Sequence, residues 1–324
     1  MEKTDTPCGV IIHFSEAYSF RHLIELVSKM VKKSAFVFSY GKFELTFYTD
    51  DDTAIYKITI DGTELVEYTF NVNPPDMSPD DENYIALYPL SFDTNQLYTK
   101  ISTIGKKDGL RIFWLVGDNK LNVQIIKDNS KDPEGASFVD IIEADAHAYD
   151  DVIFANKAPN IKVSAKEFCD QCKKITTQKC VNLEIMGYPD YMIVKGKTAQ
   201  DQIAFVEKYI SAIKKNGPIE KHGVKLIKAE DISKIKDLEN GGSTGGPSGT
   251  DGSGVAGRPR IKVIRKSNHL ALINISEKTA KKFVKIKHII NSDHMIAFYF
   301  DNKDNPIKIS FPVSNYGLCE IFQR

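Results

Sequence analysis

The chain has 324 residues, 42% hydrophobic and 27% charged, the composition of a globular protein rather than a fibrous or disordered one. Forty-three basic and 43 acidic side chains cancel, so any nucleic-acid affinity must come from one face that collects positive charge. The N-terminus lacks a basic-then-apolar leader, no apolar run approaches a membrane span, and five scattered cysteines make no secreted disulfide framework, which together predict an intracellular, soluble protein.

In chain order, residues 19–32 place Phe20, Leu23, Ile24, Val27, Met30 and Val31 at helical spacing. Runs rich in β-branched and aromatic residues follow at 35–39, 43–48, 54–60 and 65–71, each bounded by turn residues. A polar, Pro-rich loop spans 73–83, then come a strand at 84–87 and a helix over about 93–104 on which Leu97, Ile101 and Ile104 align. Strands are predicted at 110–116, 121–126 and 137–142. There is no βαβ alternation and no Gly-rich phosphate loop, which argues against a nucleotide-binding parallel sheet.

Residues 143–160 lack a regular period and read as an extended connector. The grammar then resumes, with a short strand at 161, a helix over 165–175 and strands at 181–186 and 191–195. It closes with strands at 261–265 and 269–273, a helix over 276–288, and strands at 295–300, 307–311 and 317–322. Residues 201–208 read as strand or helix. From about 208 to 260 lies a charged and then Gly/Ser-rich insert, too poor in apolar surface to offset chain entropy. The organisation is therefore α+β: an N-terminal domain (1–142), a connector (143–160) and a C-terminal domain (161–324) carrying the insert. Each domain has two helices on antiparallel sheets.

On these residues the chain resembles PCNA, the sliding-clamp family. The stretch from Leu23 to Ile60 follows the family's first helix and paired strands, SAKEFCDQCKK (164–174) its second opening helix, and DNPIKISFPVSNYGLCEIF (304–322) its closing hairpin, with Pro306 and Gly317 at the family's spacing. The resemblance implies a ring of six such domains, usually three subunits, that surrounds duplex DNA with its helices inside. It implies a DNA polymerase processivity factor with no catalytic residues and no cofactor or metal.

The charge distribution agrees. Windows 15–33, 93–108, 164–179 and 276–288 hold 16 Lys or Arg against 7 Asp or Glu, a balance of +9, so the remainder of the neutral chain carries −9. The DNA-facing candidates are Arg21, Lys29, Lys32 and Lys33; Lys100, Lys106 and Lys107; Lys166, Lys173 and Lys174; and Lys278, Lys281, Lys282 and Lys285. Long ammonium side chains suit sequence-independent phosphate contact.

The resemblance also implies a hydrophobic pocket for partner peptides, carried here by Tyr48, Ile55, Pro306 and Phe322 with Tyr149, Val152 and Ile153 from the connector. Expected partners are double-stranded DNA, a DNA polymerase and other proteins bearing a peptide motif, a clamp loader, and two further copies of the chain joined through 136–142 and 201–208. No membrane is expected. The expected location is the nucleus, or a cytoplasmic replication site if the source is a large DNA virus. A specialised clamp relative is the alternative: a checkpoint-type heterotrimer subunit, or a monomeric viral processivity or transcription factor.

Other signals are weaker. Cys169, Cys172 and Cys180 lack the second ligand pair of a zinc site, Asp50–Asp52 read as a hairpin turn, and Arg258-Pro259-Arg260 is too short to specify minor-groove binding.

Overall fold

The computed structural model describes residues 8–49, 54–72, 88–128, 135–142, 158–189, 191–210, 271–290, 294–300 and 307–323. The period-2 apolar runs of the first half form β1 (Cys8–Phe14), β2 (Lys33–Ser39), β3 (Lys42–Tyr48), β4 (Ala54–Asp61), β5 (Glu67–Phe70), β6 (Tyr88–Asp93), β7 (Gly109–Leu115), β8 (Lys120–Ile126) and β9 (Ser137–Ile142). Between them lie α1 (Tyr18–Ser28) and α2 (Thr94–Ile101).

The second half repeats the order with β10 (Ile161–Ser164), α3 (Ala165–Thr177), β11 (Cys180–Gly187), β12 (Tyr191–Thr198) and β13 (Ile203–Ile210). Then come β14 (Ala271–Ser276), α4 (Glu277–Phe283), a 3-10 turn η2 (Val284–His288), β15 (Met295–Tyr299), β16 (Ile307–Val313) and β17 (Gly317–Gln323).

Several boundaries differ from the sequence reading. Strand β1 has no counterpart in it, although Val10, Ile12 and Phe14 alternate inward. The first helix ends at Ser28, because Lys29 and Met30 close a tight turn onto Leu26 and Val27 before β2 begins. The helix expected over 276–288 tightens to 3-10 geometry from Val284, which keeps Ile286 in the core. Residues 203–210 are strand, so the insert cannot begin at 208, and the strand expected at 269–273 extends to Ser276, with 269 and 270 outside the described residues. The predicted strands at 84–87 and 261–265, the connector from 143 to 157 and the remaining insert lie outside the described residues.

Every strand pairing among the described residues is antiparallel. Thirteen strands form one sheet in the order β10-β15-β16-β17-β4-β3-β2-β6-β9-β8-β7-β1-β5, and four form another in the order β13-β12-β11-β14. The ladder between β17 and β4 joins the two halves, running from Gly317 opposite Ile60 to Gln323 opposite Ala54. A side chain at 317 would meet the Thr59 carbonyl oxygen at 2.7 Å, so only glycine lets the strands approach there.

The helices form a continuous row against the sheets. α2 packs on α1, α1 on η2, and α3 on both α4 and η2. Their apolar faces join one core with the strands: Phe20, Leu23, Phe36, Phe43 and Phe92 in the first half, Phe168, Phe283, Phe298 and Phe311 in the second. The row turns its polar side outward, and the candidate cations lie on its helices or just beyond their ends.

Candidate nucleic-acid interface

Each helix is held by its own local chemistry. The Asp93 carboxylate caps α2 by accepting from Gln96 N–H at 2.9 Å. Ser164 and Ser276 cap α3 and α4, accepting from Glu167 N–H and Thr279 N–H, each at 3.2 Å. α1 has no side-chain cap; its N-cap position is Ala17. It is fixed instead from its polar side, where Arg21 donates to the carbonyls of Ile104 (2.8 Å) and Ser102 (3.4 Å) at the end of α2.

The central feature of the row is the seam between α1 and η2, where the two halves meet. Glu25 is buried there and accepts hydrogen bonds from Lys29 at 2.7 Å and from Lys285 of η2. Its other oxygen lies 3.1 Å from His22 Nδ1. An Arg21 nitrogen lies 3.1 Å from His22 Nε2. A guanidinium only donates, so Nε2 accepts and the imidazole proton sits on Nδ1, facing Glu25. His288 stacks on His22 with ring centroids 4.8 Å apart.

The electrostatics follow from this arrangement. Burial alone would raise the Glu25 carboxyl, but hydrogen bonds with Lys285, Lys29 and His22 outweigh it and hold the pKa at about 2. His22 is lowered by burial and then by Arg21. His288 is lowered by burial and then by Lys287 and Lys285. The stacked imidazoles therefore favour the neutral form among fixed charges.

The candidate cations fall into two groups. Some are engaged within the protein: Arg21, Lys29 and Lys285 at the seam, Lys173 with Asp170 at 3.0 Å, Lys281 with Glu277 at 2.8 Å, and Lys107 with Asp128 at 3.9 Å. Lys174 pairs with Glu207 of β13, a buried carboxylate that also accepts from Gln171 and Tyr209. Lys282 is half-buried and also partnered. By contrast Lys32, Lys33, Lys100 and Lys106 form no ion pair among the described residues, and the same holds for Lys166 and Lys278. Lys287, exposed on η2, belongs with them and was not among the sequence candidates.

Glu25 was missed as well. Its i,i+4 spacing to Lys29 was legible, but the Lys285 partner stands 260 residues away.

On the opposite side of the sheets, Tyr48, Ile55 and Phe322 form one cross-strand row, with Tyr48 opposite Ile55 and Ile55 opposite Phe322. Their chain neighbours Phe47, Tyr56 and Ile321 belong to the core, so the row faces away from the helices. Ile55 and Phe322 are nevertheless buried. The row continues to Lys308, opposite Phe322, whose ammonium lies 4.3 Å from the Tyr299 ring centre. Pro306, Tyr149, Val152 and Ile153 lie outside the described residues.

Cys169, Cys172 and Cys180 are buried, and burial raises each thiol. Among the described residues no group of three or more His, Cys, Asp or Glu could hold a metal ion. Among them, too, no helix is long and apolar enough to cross a membrane.

The helix row over antiparallel sheets, repeated in two halves joined edge to edge, is the sliding-clamp fold. Among solved structures the chain is similar to the proliferating cellular nuclear antigen of Entamoeba histolytica, with a TM-score of 0.63 over 98% of both chains at 10% identity. No family model matches the chain, and no curated protein matches it in sequence. The architecture is PCNA-like, and it is built from a largely different set of residues.

Proposed function

We propose that this chain is a sliding-clamp processivity factor, not an enzyme, whose helix row faces the phosphates of encircled duplex DNA. The observation that carries the reading is that row: lysines without ion-pair partners among the described residues stand on or just beyond a continuous row of helices spanning both halves. Such charges attract phosphate without reading bases.

The internal repeat supports ring closure. β17 pairs with β4 inside the chain, and by element order β9 and β13 are their counterparts. Residues 137–140 of β9 pair only with β8 among the described strands, and β13 ends its sheet. β9 of one copy joining β13 of the next closes a homotrimer of two-domain subunits (1–142 and 161–324). The outward row of Tyr48, Ile55 and Phe322, with Pro306 and the connector residues, is the seat for peptide motifs of a DNA polymerase and other replication or repair proteins. A clamp loader would open the ring. The working location is wherever DNA is replicated, in the nucleus or at a cytoplasmic viral site.

Light scattering on the eluting protein should give the mass of three chains, and the protein should stay on circular DNA and leave it after linearisation. A monomer at micromolar concentration that persists on linear duplex would remove the ring.

A further inference from the structure

We infer that Glu25 is a brake on the DNA-facing surface: one carboxylate at the centre of the helix row that withholds Lys29 and Lys285 from phosphate. The inference rests on the proposal that this row faces DNA.

Exposure decides which lysines are available. Asp170 and Glu277 also pair with lysines of the row, but their side chains are 45% and 41% exposed. When Lys173 or Lys281 turns to a phosphate, water hydrates the carboxylate left behind. The Glu25 side chain is only 8% exposed. Lys29 and Lys285 can reach a phosphate only by leaving a buried charge short of partners, which is costly. Their own side chains are 43% and 37% exposed, so they stand at the surface and are held there by the carboxylate rather than by burial.

The carboxylate also offsets positive charge at the seam. Arg21, Lys29 and Lys285 meet at the seam, and the two neutral histidines add no charge. A partner that slides needs many weak contacts, and a fixed negative charge at the midpoint lowers the affinity there.

The test measures duplex-DNA binding by the full chain across a NaCl series. Glu25→Gln keeps the shape and a hydrogen-bond acceptor while removing the charge. It should bind more tightly, with a salt slope steeper by about 1–2, since each additional phosphate neutralised by a released lysine adds roughly 0.9. In the parent protein Lys285→Gln should flatten the slope less than Lys278→Gln does. In the Glu25→Gln background, Lys285→Gln should cancel part of the increase.

A folded Glu25→Gln protein with the parent slope would overturn the brake, as would equal losses from Lys285→Gln and Lys278→Gln. The second comparison stands even if Glu25→Gln fails to fold. Absence of any salt-dependent binding in the parent and in Glu25→Gln would overturn the DNA-facing proposal itself, and the brake with it. That result is distinct from a parent that binds and a variant that does not differ.

Discussion

The two halves build the same scaffold but present charge in different ways. Within α1 and α2 the only basic residues besides His22 are Arg21 and Lys100, whereas α3, α4 and η2 carry Lys166, Lys173, Lys174, Lys278, Lys281, Lys282, Lys285 and Lys287. The first half places its remaining candidate cations just beyond its helices, at Lys29, Lys32, Lys33, Lys106 and Lys107. Its one helical arginine staples α1 to α2, and its helical carboxylate receives a lysine from the other half. The first half thus uses its helix polarity to hold the row together, while the second half places it on the exposed face.

The strongest way to break this comparison is to remove charge from each half separately. Lys166, Lys173 and Lys278 changed together to Gln should flatten the salt slope of DNA binding by about 2.7, at roughly 0.9 for each phosphate no longer neutralised. The same change at Lys32, Lys33 and Lys106 should flatten it less. Equal losses would mean the halves contribute alike.

Stability should show the reverse emphasis. Arg21→Ala removes two charge-assisted hydrogen bonds between α1 and α2 and should cost about 2 kcal/mol in denaturant unfolding, with a smaller effect on the DNA slope than the lysine set. In the second half, Ser276→Ala removes the cap of α4 and should cost about 1 kcal/mol. α1 has no side-chain cap to lose.

The smallest effect is acid sensitivity at the seam. His22 and His288 are lowered in the folded protein, so the unfolded chain takes up protons first as pH falls through about 6.5. Stability present at neutral pH should therefore decline below that value. A further decline should follow from about 4.3 downward as Glu25, held at about 2 in the folded state, loses its advantage. Melting temperatures at pH 7.5, 5.5 and 3.5 check the sign, and His288→Gln should flatten the first step.

Much of the fold is legible in the sequence because it is written in short-range pattern. Phe20, Leu23 and Val27 mark α1, Leu97 and Ile101 mark α2, and Ser164 with Glu167 marks the start of α3, each within one or two helical turns. Helix ends are harder to read, since Met30 and Val31 continue the apolar stripe after the helix has stopped. At that point the turn onto β2, not the stripe, sets the backbone. The candidate site is legible as a set of cations but not as a set of available ones. Sequence spacing cannot reveal that Lys174 meets Glu207 or that Arg21 meets the carbonyl of Ile104.

What the sequence determined by itself is the alternation of amphipathic strands and helices, the repeat of that order, and the gathering of positive charge in and beside the helical stretches, all properties of neighbouring residues. Tertiary structure alone decided the ladder between β17 and β4, the face on which Tyr48, Ile55 and Phe322 align, and the bond from Lys285 to Glu25. Those depend on groups brought together from distant parts of the chain, where burial decides which charges stay paired and which remain available to a partner.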